Sequence, residues 1–151
     1  MLLLRILKMA VINRSALVPH SVSQMYQLVD AIENYPEFLP WCKSSEILSR
    51  TADEVLATLN LEHKGIGKSF TTCNRLQKDK MIEIRLLNGP FKQLEGFWRF
   101  ESINENSSKV CLDLEFEFSG WLLSVVFGPV FNQVANTLVD AFVKRANEIY
   151  G

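Results

Sequence analysis

Residues 110–118 read VCLDLEFEF, in which Val110, Leu112, Leu114, Phe116 and Phe118 alternate strictly with Cys111, Asp113, Glu115 and Glu117. A strand sends successive side chains to opposite faces, so this period of two predicts a β-strand with one buried and one solvated face. Glu115 and Glu117 are both expected in water. Beyond this strand the period changes. Phe127, Phe131, Val134, Leu138, Phe142 and Ile149 recur at helical spacing, while Asn132, Asn136, Asp140, Lys144 and Glu148 form an i, i+4 polar stripe. One long amphipathic helix is predicted, covering the apolar face of the sheet. Pro129 lacks the backbone donor of an interior helical residue, so it should bend this helix or occupy the first turn of its second half.

Upstream, the same period of two recurs between turn signals. Leu94, Gly96, Trp98 and Phe100 share one face against Glu95, Arg99 and Glu101. Met81–Leu87, Ser69–Leu76, Val55–Leu61 and Val11–Val18 read as further strands, separated by Gln77–Lys80, Asn88–Pro90 and the Gly65/Gly67 pair. After the first strand, Ser21 offers an N-cap for a short helix carrying Met25, Tyr26, Leu28 and Val29, and Asp30–Leu39 holds a second. The fold class is α+β: an antiparallel sheet of six or seven strands, two short helices after strand 1, and a long C-terminal helix.

The chain has 151 residues, 48% hydrophobic and 22% charged, with a formal net charge of -1. That size supports a full core without staples, and the composition excludes disordered, collagenous and coiled-coil classes. No linker or repeat divides it. Residues 1–9 read as an N-terminal extension, with Met9 as an alternative start, and 10–151 as a single domain. The uncharged run Phe118–Val139 is long enough to span a bilayer, but Asn132, Gln133, Asn136 and Thr137 argue for a soluble helix. Cys42, Cys73 and Cys111 are odd in number and widely spaced, which points to a reducing, cytoplasmic setting. No metal-ligand cluster accompanies His20 or His63.

Chemistry-bearing motifs are sparse. There is no nucleophile elbow, P-loop or dinucleotide fingerprint. His63 reads as a solvated residue beside a turn rather than a general base, and the Glu115/Glu117 pair as surface carboxylates. Lys64, Lys68, Arg75, Lys78 and Lys80 gather in one hairpin region. They read either as lysine-guarded strand edges or as an RNA footprint, since near-neutral net charge leaves only a local patch for a polyanion. The aromatic residues Phe91, Trp98, Phe100, Phe116, Phe118, Phe127 and Phe131 should converge between the late strands and the long helix. Such a surface either fills itself or encloses something apolar, and pattern alone leaves both readings open.

Four segments carry a resemblance: YPEFLPWC (Tyr35–Cys42), GPFKxLxGxWRF (Gly89–Phe100), LxFEF (Leu114–Phe118) and AFxxRA (Ala141–Ala146). In this order they resemble the coenzyme Q-binding START-like family of the SRPBCC superfamily, over about Ala10 to Tyr150. Bacterial members of that family are labelled ribosome association toxins or polyketide cyclase/dehydrase-like proteins. The resemblance implies a helix-grip fold, with an apolar cavity between the sheet and the C-terminal helix. It implies noncatalytic binding of ubiquinone or a related prenyl lipid in support of respiration, with no further cofactor. Its alternatives are a toxin that binds the large ribosomal subunit and blocks subunit association, and, more weakly, a cyclase-like enzyme.

On this reading the cavity wall is expected to combine Phe38, Trp41, Phe91 and Leu94 with Trp98, Phe100, Phe116 and Phe118, and with Phe131, Val134 and Leu138 from the helix. Trp98 is singled out because Gly96, on the same face, should leave open space beside it. Trp121, Leu122, Val125 and Val126 exceed what one buried helix face needs and are expected to form an entrance that touches membrane. The alternative is that the two short helices cover them. Location is then expected to be cytoplasmic with peripheral contact at the inner membrane.

Overall fold

The structure, a computed structural model, describes residues 9–63 and 65–151. Lys64 and most of the expected N-terminal extension therefore lie outside the described residues. Strand β1 (Ala10–Val18) leads into helix α1 (Val22–Asp30) and a 3-10 helix (Ile32–Glu37). Six strands follow in a meander: β2 (Cys42–Arg50), β3 (Glu54–His63), β4 (Ile66–Gln77), β5 (Met81–Asn88), β6 (Phe91–Asn104) and β7 (Ser107–Phe118). Helix α2 (Trp121–Tyr150) closes the chain. The sheet is antiparallel in the order β1-β7-β6-β5-β4-β3-β2, so β1 pairs with the last strand and places Ile12 opposite Leu114.

Local chemistry accounts for the elements. Ser21 caps α1 through a capping box: its hydroxyl accepts from the Gln24 amide at 3.1 Å, and the Gln24 side chain accepts from the Ser21 amide at 3.0 Å. Pro36, which lacks an amide donor, sits in the second short helix, a single 3-10 segment rather than an α-helix. Helix α2 runs uninterrupted through Pro129. Its buried face carries Phe127, Phe131, Ala135, Val139, Phe142 and Ala146 against the sheet. Ile149, expected on that face, is 49% exposed, since the buried stripe ends at Ala146 and the residues Asn147 to Ile149 of the last turn are all exposed. Among the described residues, α2 is the one helix long and apolar enough to cross a membrane, and one of its faces packs on the sheet.

Two expectations need correction, and one strand had no reading in the sequence. Strand β2, CKSSEILSR, shows no clean alternation because it is an edge strand with both faces largely exposed and bulges at Lys43 and Leu48. Glu115 is exposed as expected, but Glu117 is buried at 4% exposure. Alternation decides the face a side chain takes and not what covers that face. Gly96 leaves no open space: a Cβ there would lie 2.1 Å from the Asp113 carbonyl oxygen and 2.8 Å from the Leu114 Cα. The glycine is required by the close approach of β6 to β7.

Candidate functional site

Between α2 and the concave face of the sheet lies a cavity of about 80 Å³. Helix α2 contributes Phe131, Val134, Ala135, Leu138 and Phe142, and the short helices contribute Val29, Ile32 and Tyr35. Inward residues of β3 to β7 complete it: Ala57 and Leu59, Phe70, Thr72 and Asn74, Ile82 and Ile84, Leu94 and Trp98, and Leu114, with Trp41 at one side. No lining side chain is charged. An ion would lose its hydration here without a partner, so the cavity suits a neutral occupant. Its volume is well below the ~300–1,000 Å³ of small-molecule pockets. A substituted ring needs more room than the cavity offers in this conformation.

The expected wall divides in two. Trp41, Leu94, Trp98, Phe131, Val134 and Leu138 line the cavity. Phe91, Phe116 and Phe118 do not, because they fill the space toward the start of α2 with one another: Phe91 stacks on Phe118 at 4.6 Å, and Phe116 meets Phe131 edge-on at 4.7 Å. Phe100 lies beyond the cavity against Tyr26, at 5.7 Å. The aromatic surface thus fills itself at one end and borders free space in the middle.

Phe38 also stays off the wall, and its contacts explain two of the sequence segments. Its ring meets Phe142 at 5.2 Å and lies beneath the Arg145 guanidinium at 5.1 Å, while Arg145 donates to Glu37 Oε2 at 2.9 Å. Tyr35 meets Phe142 at 5.4 Å and donates its hydroxyl to the Val29 carbonyl. Burial holds the Tyr35 phenol neutral, well above the ordinary tyrosine range. The Tyr35–Cys42 and Ala141–Ala146 segments are therefore two halves of one lock that fixes the 3-10 helix to α2.

Several wall residues escaped the sequence reading, among them Ala57, Ala135, Thr72 and Asn74. Small and polar residues carry little hydrophobic signal, although the parity of Phe70 on β4 assigns Thr72 and Asn74 to the same face. Thr72 Oγ donates to Asn74 Oδ1 at 3.0 Å, and both residues are buried.

A narrower cleft lined by Leu61, Glu62, His63, Phe127 and Val130 shares Trp41, Phe131 and Val134 with the main cavity. Those three side chains stand between the cavity and the surface at Glu62, which is exposed. On the same half of α2, Trp121, Leu122 and Val125 are 67%, 59% and 64% exposed and Val126 39%, so the short helices do not cover them.

Among the described residues, the expected basic group does not form one patch. Lys68 lies near the start of β4, whereas Lys78 and Lys80 flank the turn after it, roughly 30 Å away at ~3.3 Å per residue. Arg75 pairs across the sheet with Glu54 on one side and Glu83 on the other. All four are exposed. His20 is buried with its Nε2 2.8 Å from Asn147 Oδ1, and no group of three or more His, Cys, Asp and Glu that could hold a metal ion is found among the described residues.

The family described as polyketide cyclase / dehydrase and lipid transport matches residues 18–143. A protein of Pseudomonas aeruginosa named ribosome association toxin RatA is 42% identical over 140 residues, covering 93% of this chain and 97% of its own. A Xenopus laevis protein named coenzyme Q-binding protein COQ10 homolog B, mitochondrial, is 29% identical, over 92% of this chain and 59% of its own. In structure, the Zhui aromatase/cyclase from a Streptomyces species superposes with a TM-score of 0.78, covering 95% of this chain and 96% of its own at 16% identity. That likeness is one of fold: an antiparallel sheet gripping a long C-terminal helix.

Proposed function

The chain belongs to the polyketide cyclase/dehydrase and lipid transport family, and on that premise we propose that it is a noncatalytic carrier of ubiquinone or a similar neutral prenyl lipid. The observation that carries this reading is the uncharged cavity between sheet and helix, walled by Trp41, Trp98 and Leu94. Burying a prenyl chain contributes roughly 25 cal/mol per Å² of apolar surface, so affinity needs no ionic contact. The name of the coenzyme Q-binding relative supports the same ligand class. No nucleophile and base face each other across the cavity, which favours carriage over the cyclase chemistry named for the Streptomyces neighbour. Loading proceeds at the cleft beside Trp41 and Phe131, with the exposed start of α2 resting on the bilayer that holds the lipid.

A short-chain ubiquinone titrated into the Trp121→Phe protein tests this, since the remaining indoles, Trp41 and Trp98, both border the cavity. Saturable quenching is expected. Ala135→Leu, which adds three carbons to the cavity wall, should abolish it while the protein stays folded. Quenching that is linear and unaffected by Ala135→Leu would contradict the reading.

A second reading, binding of the large ribosomal subunit, is favoured by the name of the 42% identical relative over nearly the full length of both chains. Contact of Lys68 and Arg75 with RNA phosphates would release counterions and make binding fall steeply with salt. Cosedimentation with ribosomal subunits at low and moderate salt, on wild type and the Lys68→Glu and Arg75→Glu variants, checks it. Binding unchanged by salt and by both variants would remove this electrostatic mechanism.

A further inference from the structure

Within the otherwise apolar wall, β4 presents one polar pair. Thr72 and Asn74 are 4% and 9% exposed, and both border the cavity. The Thr72 hydroxyl donates to Asn74 Oδ1 at 3.0 Å, a bond that uses the amide oxygen and leaves the two N–H donors of Asn74 outside it. A ligand acceptor in the cavity could take a hydrogen bond from those donors. The lining phenol, Tyr35, already donates to the Val29 carbonyl.

The geometry points to Thr72 and Asn74 as a head-group anchor that binds the oxidised and the reduced form of a quinone alike. This rests on the reading of the cavity as a quinone site. An amide carries a donor and an acceptor, and a hydroxyl is both at once. With Thr72 donating to Oδ1, the NH₂ group faces the cavity and meets a quinone carbonyl. With the amide turned over, its NH₂ donates to the Thr72 oxygen, and Oδ1 faces the cavity to accept from a quinol hydroxyl. The two arrangements exchange by rotation of two side chains, with no proton gained or lost by the protein. A lysine at this place would favour the carbonyl, and a carboxylate the hydroxyl. A neutral reversible pair does neither, which suits a carrier that must release its cargo in whichever redox form it was collected.

The test compares three probes of equal chain length: decyl-ubiquinone, its quinol under anaerobic reductant, and the quinol dimethyl ether, which has no hydroxyl donor or carbonyl acceptor. Wild type should bind quinone and quinol within about threefold of each other, and the ether about tenfold more weakly. The double variant T72V/N74L replaces both partners by apolar groups of similar shape and so leaves no orphaned polar atom. It should lose about tenfold for quinone and quinol, with ether binding unchanged. A preference of more than tenfold for one redox form, or equal affinity of wild type for all three probes, would overturn the anchor while leaving lipid carriage intact. Those two comparisons use wild type alone, so they decide the matter even if the double variant does not fold. Failure of all three probes to bind would overturn the carrier reading together with the anchor.

Discussion

Trp98 belongs both to the packed core, through its edge-on contact with Phe142 at 5.2 Å, and to the cavity wall. Trp98→Ala is therefore expected to cost about 3 kcal/mol, at the low end for aromatic truncation because free space already adjoins the ring. It should also strip the protein of bound quinone. Melting temperature and quinone content read on one preparation check both, and a folded variant with its full load would take Trp98 out of the site. Cys42 offers a test of burial that does not involve ligand. Burial pushes its thiol up to about 11 from the ordinary 9.0. Between those values the unfolded chain gives up this proton and the folded chain keeps it, so stability present below pH 9 declines as pH rises toward 11. Thermal melts across this window should show a flatter decline for Cys42→Ala than for wild type; equal slopes would mean that the thiol is not held protonated by the fold.

At the scale of elements, the first half of α2 leaves Trp121, Leu122 and Val125 in water although the second half is well seated on the sheet. On the reading of this segment as a membrane contact, liposomes should carry wild type weakly and reversibly, and Leu122→Asp should reduce flotation several-fold. Equal flotation of the two proteins would place the contact elsewhere. The elements themselves were legible in proportion to how one-sided their environment is. Strand β7 and helix α2 each turn a run of large apolar side chains to the core and polar ones away from it, so their periods stand out in the sequence. Edge strand β2 buries little and shows no period to read. The cavity was legible only through its large residues: Trp98, Leu94 and Phe131 announce an apolar wall, whereas Ala135 and the Thr72–Asn74 pair need the strand and helix registers before their position is known. Alternation also could not tell Phe116, which packs into a filled aromatic cluster, from Trp98, which borders free space four residues further along the β6–β7 pairing.

The whole molecule combines a near-neutral chain with an uncharged interior cavity and a basic content spread along the sheet rather than gathered in a stripe. Electrostatics therefore gives little pull toward a polyanion over the whole surface. The two-part lock between Tyr35–Cys42 and Ala141–Ala146 holds the far end of α2, so separation of the helix from the sheet is expected to start at its exposed first half, beside the cleft at Trp41 and Phe131. The most direct measurement is solvent extraction of the purified full chain followed by mass spectrometry, with Ala135→Leu prepared in parallel. The carrier account predicts a prenyl quinone or closely similar lipid in the wild-type extract and its loss from the variant. Reproducible absence of any such lipid from wild type, together with no binding of added ubiquinone, would contradict it.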